Sequence, residues 1–315
     1  MTLQLGSQGP LVSRWTHTML RRFRSYATGL DGKPLRDDFY FGLDEAKVQR
    51  EYERRTGQMV DGIVSDRDLA ALGLALPVMF TVEGHMSSMW VGPCAFTARQ
   101  LEVEGVCRWQ PVGYDNVALP FRNDTGIDEL CRLLADTALL PPGTPWGAAF
   151  FSQGGIVGSE VFMRHVLPPD GSLHWRLKDC RGVIAFGNPY RENSVVAEWV
   201  PDPPAPGTQG ISNRRMVGTP PWWKEHSRRG DLYAENQTDD RGEDKTAIYM
   251  AVQNEWTGDP DSLLSQMVEI IERPVVEVLA MVRAIIDGLL FAARPGPHGD
   301  YDLRPGIDWM RARLS

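Results

Sequence analysis

The spacing of apolar positions changes character near residue 74. Before it, a turn at residues 5–9 is followed by Leu11, Trp15, Met19 and Leu20 at near-helical intervals. A second helical pattern runs over 44–55 through Ala46, Val48 and Tyr52, with Gly57 placed to stop it. Val60 to Val64 reads as a short turn and strand, and a third short helix is expected over 66–72. After Leu74 the pattern becomes short apolar runs at 78–82, 146–151 and 182–187, with helical patterns between them at 95–104 and 128–139. Buried strands alternating with helices predict an α/β fold with a parallel sheet covered on both faces. Such sheets bind ligands beyond the C-terminal ends of their strands.

Charge divides at the same place. Residues 1–74 carry 11 Lys+Arg and 10 Asp+Glu, a net of +1. The remaining 22 basic (33−11) and 31 acidic (41−10) residues give −9, so a near-neutral helical module of 1–74 is expected to precede an acidic body of 75–315. An overall formal charge of −8 argues against a nucleic-acid coat protein. Cys94, Cys107, Cys131 and Cys180 form no CxxC pair and match no zinc spacing. Four separate buried thiols are expected, with a Cys94–Cys107 bridge as the alternative. No basic start with an apolar core marks a secretion signal, and no run reaches 18 apolar residues. Export is then expected by another route, such as rupture of the producing cell.

The second of these runs ends in Phe150-Phe151-Ser152-Gln153-Gly154-Gly155. A strand entering a serine, small residues just after it and a helix beyond describe a nucleophile elbow, in which the turn lifts Oγ above the sheet edge. Phe150 occupies the first glycine position of GxSxG, so its ring must find room beneath the turn. The plainer reading of Ser152 is an ordinary helix cap.

A serine needs a base, and the base an orienting acid. In α/β-hydrolases the order along the chain is serine, acid, histidine. By position both His226 and His298 qualify; His298 lies in the Pro/Gly-rich loop Arg294-Pro295-Gly296-Pro297-His298-Gly299. Asp231, in Gly230-Asp231-Leu232-Tyr233-Ala234, is one candidate acid among Asp202, Asp239, Asp240 and Asp300, and its simpler role is a helix N-cap.

Two resemblances narrow these choices. Leu5-Gly6-Ser7, Gly9, Val12, Phe41-Gly42 and Val60-Asp61-Gly62-Ile63-Val64 resemble the peptidoglycan-binding repeat of cell-wall hydrolases, over about residues 3–73. That resemblance implies wall binding through the turn before the second helix. Here the turn is altered to Asp38-Phe39-Tyr40-Phe41-Gly42, and the helix carries Tyr52-Glu53 in place of Phe-Gln. The simpler alternative is a helical domain without a ligand.

Further on come Arg108-Trp109-Gln110-Pro111, Ser152-Gln153-Gly154, Phe186-Gly187-Asn188-Pro189, Gly230-Asp231-Leu232-Tyr233-Ala234 and the tail around His298. They resemble lysin B of phages that infect mycobacteria, a cutinase-like family of serine esterases, over roughly 77–314. The resemblance implies an α/β-hydrolase fold with a helical insertion at about 256–294. It implies a triad of Ser152, Asp231 and His298, and an oxyanion hole of the backbone N–H groups of Gln153 and His85. It implies hydrolysis of the ester between mycolic acids and arabinogalactan, at the envelope of the lysing host after synthesis in its cytoplasm, with no metal or organic cofactor. Glu83-Gly84-His85 departs from the usual His-Gly at this place, and a carboxylate there would oppose oxyanion charge unless it points away or pairs with a cation. The alternatives are a general cutinase-like lipase and an inactive wall-binding protein on the same fold.

Overall fold

The structure, a computed structural model, describes residues 2–255, 275–290 and 296–315. Most of the expected insertion therefore lies outside the described residues. The chain separates into two compact units, one of residues 1–76 with 136–144 and the other of 77–135 with 145–315.

In the first unit, helices α1 (Pro10–Arg22), α2 (Leu43–Thr56) and α3 (Asp66–Leu72) enclose a core of Val12, Trp15, Met19, Phe41, Val48, Tyr52, Val64 and Leu69. Trp15 and Phe41 are fully buried, with ring centroids 5.1 Å apart. Glu53, the departure noted in α2, is buried. It accepts the Gly62 N–H at 3.0 Å and the Gln49 amide at 3.0 Å, so its carboxylate fixes the tight turn after α2. Ser65 and Asp68 cap α3 reciprocally, and Gly57 and Gly73 end α2 and α3 in the left-handed region.

The second unit is built on a five-stranded parallel sheet. Its strands are β1 (Val78–Val82), β2 (Arg108–Pro111), β3 (Trp146–Phe151), β4 (Cys180–Phe186) and β5 (Trp223–His226), ordered β2-β1-β3-β4-β5. The chain builds outward from β1 to β2, then crosses to the other side of β1 for β3. The reversal opens a crevice between the C-terminal ends of β1 and β3.

Alternation along the strands supplies two apolar faces. Met79, Ala149, Ile184 and Phe186 pack against Cys94, Ala98 and Leu101 of α4 (Pro93–Val103). They also meet Ile307, Met310 and Leu314 of the helix Arg304–Leu314, here α9. On the opposite face Phe150 meets Phe162 and Trp223, at 6.2 and 5.6 Å between ring centroids. Helix α5 spans Asn123–Ala135, earlier than the 128–139 expected, because Asp136 caps the following turn through Ala138 N–H at 2.8 Å. Helix α6 (Gln153–Val161) continues into a π-helical turn at Phe162–Val166.

A third cluster joins α6 to α7 (Asp240–Glu255) and α8 (Val275–Leu290). Val278, Met281, Val282 and Ile285 of α8 pack there with Ile156, Tyr190, Tyr233, Ile248 and Tyr249. Their i, i+3, i+4, i+7 spacing places the apolar stripe of α8 on the core. No helix among the described residues is long and apolar enough to cross a membrane. All four cysteines are free, so there is no Cys94–Cys107 bridge; Cys131 and Cys180 are half-buried rather than buried.

Phe150 has no exposure. A Cβ on Gly158 would overlap its ring, so a glycine one turn into α6 vacates the space that the ring takes. Phe150→Ala should cost about 3–5 kcal/mol through the cavity it leaves. Urea denaturation monitored by circular dichroism measures this, and a loss below about 1 kcal/mol would contradict the packing.

Candidate active site

Ser152 follows the last residue of β3 and precedes the first residue of α6. Its backbone has φ 54° and ψ −118°, a region that a side chain enters only under constraint. The constraint is visible. Ser152 N–H donates to Phe186 O at 3.0 Å, tying the turn to the end of β4, and Gly155 N–H donates to Ser152 O at 2.8 Å. Two glycines make the tight passage feasible. A Cβ on Gly84 would lie 2.8 Å from Ser152 Cβ, and one on Gly154 would lie 2.8 Å from Glu83 O.

His298 Nε2 lies 2.8 Å from Ser152 Oγ, and its Nδ1 lies 2.9 and 3.0 Å from the two carboxylate oxygens of Asp231. The imidazole is held between Tyr233, in edge contact at 4.6 Å, and Phe151 at 5.2 Å. Asp231 is buried and accepts the backbone N–H groups of Tyr233 and Ala234 at 3.0 and 3.2 Å. Tyr301 donates to it from 3.4 Å. Burial by itself would raise the Asp231 carboxyl, but the His298 imidazole and the two N–H donors outweigh it and hold the group below the usual carboxylate range.

The rival residues are placed elsewhere. His226 is buried at the end of β5, where Trp199 Nε1 donates to its Nδ1 at 3.4 Å and the Phe186 and Tyr301 rings flank it. Burial drives its imidazole down to about 4. Asp202 pairs with Arg229, Asp300 pairs with Arg228 at 2.9 Å, Asp239 accepts the Gly242 N–H at 3.0 Å, and Asp240 is the exposed first residue of α7.

Gln153 is buried and opens α6, so its N–H has no intrahelical acceptor. Its side-chain amide donates to Asn123 Oδ1 at 3.0 Å. His85 follows Gly84, the glycine that packs on Ser152, and its ring lies 4.9 Å from that of Phe121. Burial pushes the His85 imidazole below its ordinary range, which keeps it neutral. Asn116 fixes this loop, donating to Gly84 O at 2.6 Å and Ser87 O at 2.7 Å and accepting Met86 N–H at 2.9 Å.

Glu83 takes the harmless course. Its side chain turns into the start of α4, where Oε1 accepts the Ala95 N–H at 2.7 Å. The group is buried, and burial raises it to about 8 even though the Ala95 and Cys94 N–H groups favour the charged form. Near neutrality it is mostly protonated, so it places little negative charge beside the serine.

Of three further contributors, two had little signal in the sequence. Tyr301 and Asn116 carry no motif of their own. Gly187 does, standing at a strand end before Asn-Pro; at φ 52° its missing Cβ leaves room for His298, which would otherwise lie 2.8 Å away, and for the Tyr301 hydroxyl.

A parallel sheet whose switch point presents a strained serine, hydrogen-bonded to a histidine that is itself bonded to a buried aspartate, defines a serine hydrolase of the α/β-hydrolase class. No family profile matches the chain. Individual relatives do. The endolysin B of Mycobacterium phage D29 is 33% identical over 255 residues, covering 76% of this chain and 99% of that protein. The endolysin B of Mycobacterium phage L5 is 33% identical over 254 residues, with the same coverage. The crystal structure of lysin B from mycobacteriophage D29 superimposes with a TM-score of 0.64, over 75% of this chain and all of that one. The chain belongs to the endolysin B family.

The pH response of Glu83 is testable. Its carboxyl titrates at about 8 in the folded protein and near 4.5 when unfolded. Between those values the native state binds the extra proton, so this group's contribution to stability falls as pH rises from about 4.5 to 8. Glu83→Gln should therefore gain stability relative to wild type on going from pH 5 to pH 8, by on the order of a few kcal/mol. Parallel urea midpoints across that range would refute the assignment.

Proposed function

We propose that Ser152 is the nucleophile, His298 its general base and Asp231 the orienting acid of an esterase. Its substrate is the ester between mycolic acids and arabinogalactan in the envelope of the host. The observation that carries this reading is the 2.8 Å contact between His298 Nε2 and Ser152 Oγ at a serine held in a strained turn. Family membership supports the substrate and the setting, lysis of a mycobacterial host.

In this mechanism His298 takes the hydroxyl proton as Oγ attacks the ester carbonyl. Asp231 fixes the Nδ1–H tautomer and stabilises the imidazolium. The tetrahedral oxyanion is met by the N–H groups of Gln153 and His85, assisted by the N-terminal end of α6. Losing one such donor typically costs about 2.7–4 kcal/mol in barrier. The sugar alcohol departs with the proton from His298, and water, activated by the same imidazole, clears the acyl-enzyme. These steps use only protein groups.

Ser152→Ala should abolish turnover of both p-nitrophenyl esters and purified mycolyl-arabinogalactan. Asp231→Asn should lower kcat by roughly 10⁴, as expected when the imidazole loses its tautomer control. Turnover of aryl esters with refusal of the wall material would overturn the substrate. Equal activity of wild type and Ser152→Ala would overturn the catalytic assignment.

Residues 1–74 we assign to wall binding, supported by their resemblance to the peptidoglycan-binding repeat and by the compact core that Trp15 and Phe41 give them. The full chain should co-sediment with insoluble peptidoglycan, and a chain beginning near residue 75 should not. Equal sedimentation of the two would remove this role.

A further inference from the structure

A second feature shares the loop that begins beside Ser152. Residues 84–92 leave β1 at Gly84, against the serine, and return at Gly92 to start α4. Between this loop and the segment after β2 lies a cleft of about 330 Å³. Its lining joins Ser87, Ser88 and Asn116 to the apolar surface of Met89, Trp90 and Val112. The volume is at the lower end of the range for small-molecule sites.

The chemistry of this lining is selective. Trp90 is 49% exposed and presents its indole to the cleft. It is also braced: Trp109 meets it edge-on at 5.5 Å, and Trp109 Nε1 donates to Thr81 Oγ1 in β1 at 2.8 Å. An exposed, braced indole face beside the Ser87 and Ser88 hydroxyls offers an apolar platform with a hydroxyl rim, while both amide N–H groups of Asn116 are spent on Gly84 O and Ser87 O. A sugar ring, with its C–H face and hydroxyl edge, matches that arrangement. An acyl chain does not, because it would leave the polar rim unmet. Glu83 also lines the cleft, but its Oε2 is buried against Gly92.

We propose that this cleft is the subsite for the alcohol half of the ester, a sugar ring stacked on Trp90 with its polar edge met by the Ser87 and Ser88 hydroxyls of the loop. This rests on the esterase reading of Ser152. The subsite gives the 84–92 loop two tasks. Its first residues border the attacked carbonyl, and its far end grips the leaving sugar, so the scissile bond is drawn across Ser152 from one side. The bond broken is the acyl C–O bond, and the departing alkoxide takes its proton from His298 while the sugar is still held.

The test compares two substrates with the same acyl chain, methyl arabinofuranoside octanoate and p-nitrophenyl octanoate. Wild type and Trp90→Ala are assayed on both, and free methyl arabinofuranoside is added as a competitor. In Trp90→Ala the ratio of kcat/KM for the sugar ester over the aryl ester should fall at least tenfold, mainly through KM. Inhibition by the free sugar should weaken to match. A ratio unchanged by the substitution overturns the subsite, whether both activities stay high or both fall. Wild type that hydrolyses the aryl ester but neither turns over the sugar ester nor responds to the free sugar also overturns it, while leaving the esterase assignment standing. Absence of aryl-ester hydrolysis in wild type would overturn both.

Discussion

The site depends on one backbone geometry, a serine held at positive φ where β3 turns into α6. An ordinary turn there would move Oγ away from His298 and leave the histidine and aspartate without a task. The strain is offset locally. The Ser152 N–H is bonded to the end of β4, and the helix behind it comes close enough to the end of β1 that Gly154 has no room for a Cβ. Gly84 and Gly187 lie on either side of this turn, at the ends of β1 and β4, and leave the space that Ser152 and His298 fill. Ser152 is thus seated against three strand ends at once, while Asp231 and His298 reach it from loops.

The two departures from the family pattern become intelligible on the same terms. Phe150 does not distort the elbow, because Gly158 accommodates its ring from the opposite side and the bulk lost at one position is restored at the other. Glu83 is diverted into the cap of α4 and, largely protonated, places little charge near the serine. Both cases show a local substitution absorbed by a neighbour several residues away, which a linear motif cannot display. They also remove the motivation for reading the chain as an inactive hydrolase.

Much of this was legible before any coordinates. The three apolar runs are strands, and the short helix before Leu74 lies at Asp66–Leu72 as its spacing requires. Strands β2 and β5 escaped notice because Arg108–Pro111 and Trp223–His226 have four residues each and mix charged with aromatic side chains, so neither shows a period. Residues alone left His226 and His298 as rivals. Burial separates them, because His226 is enclosed by Phe186, Trp199 and Tyr301, whereas His298 faces the serine. The place of α8 was not legible in its apolar content. That content exceeds one stripe, and the residues described on it show that at least Val278, Met281, Val282 and Ile285 serve the core.

The histidine that completes the site stands 146 residues along the chain from the serine it touches and 67 from the aspartate. A nascent chain that has not yet reached residue 298 has no imidazole to place beside Ser152. It also lacks α9, which covers one face of the sheet with Ile307, Met310 and Leu314. Contacts so distant in sequence form late, after the entropy of the intervening loops has been spent. On the proposed mechanism, a chain that stops short of residue 298 carries the serine without its base.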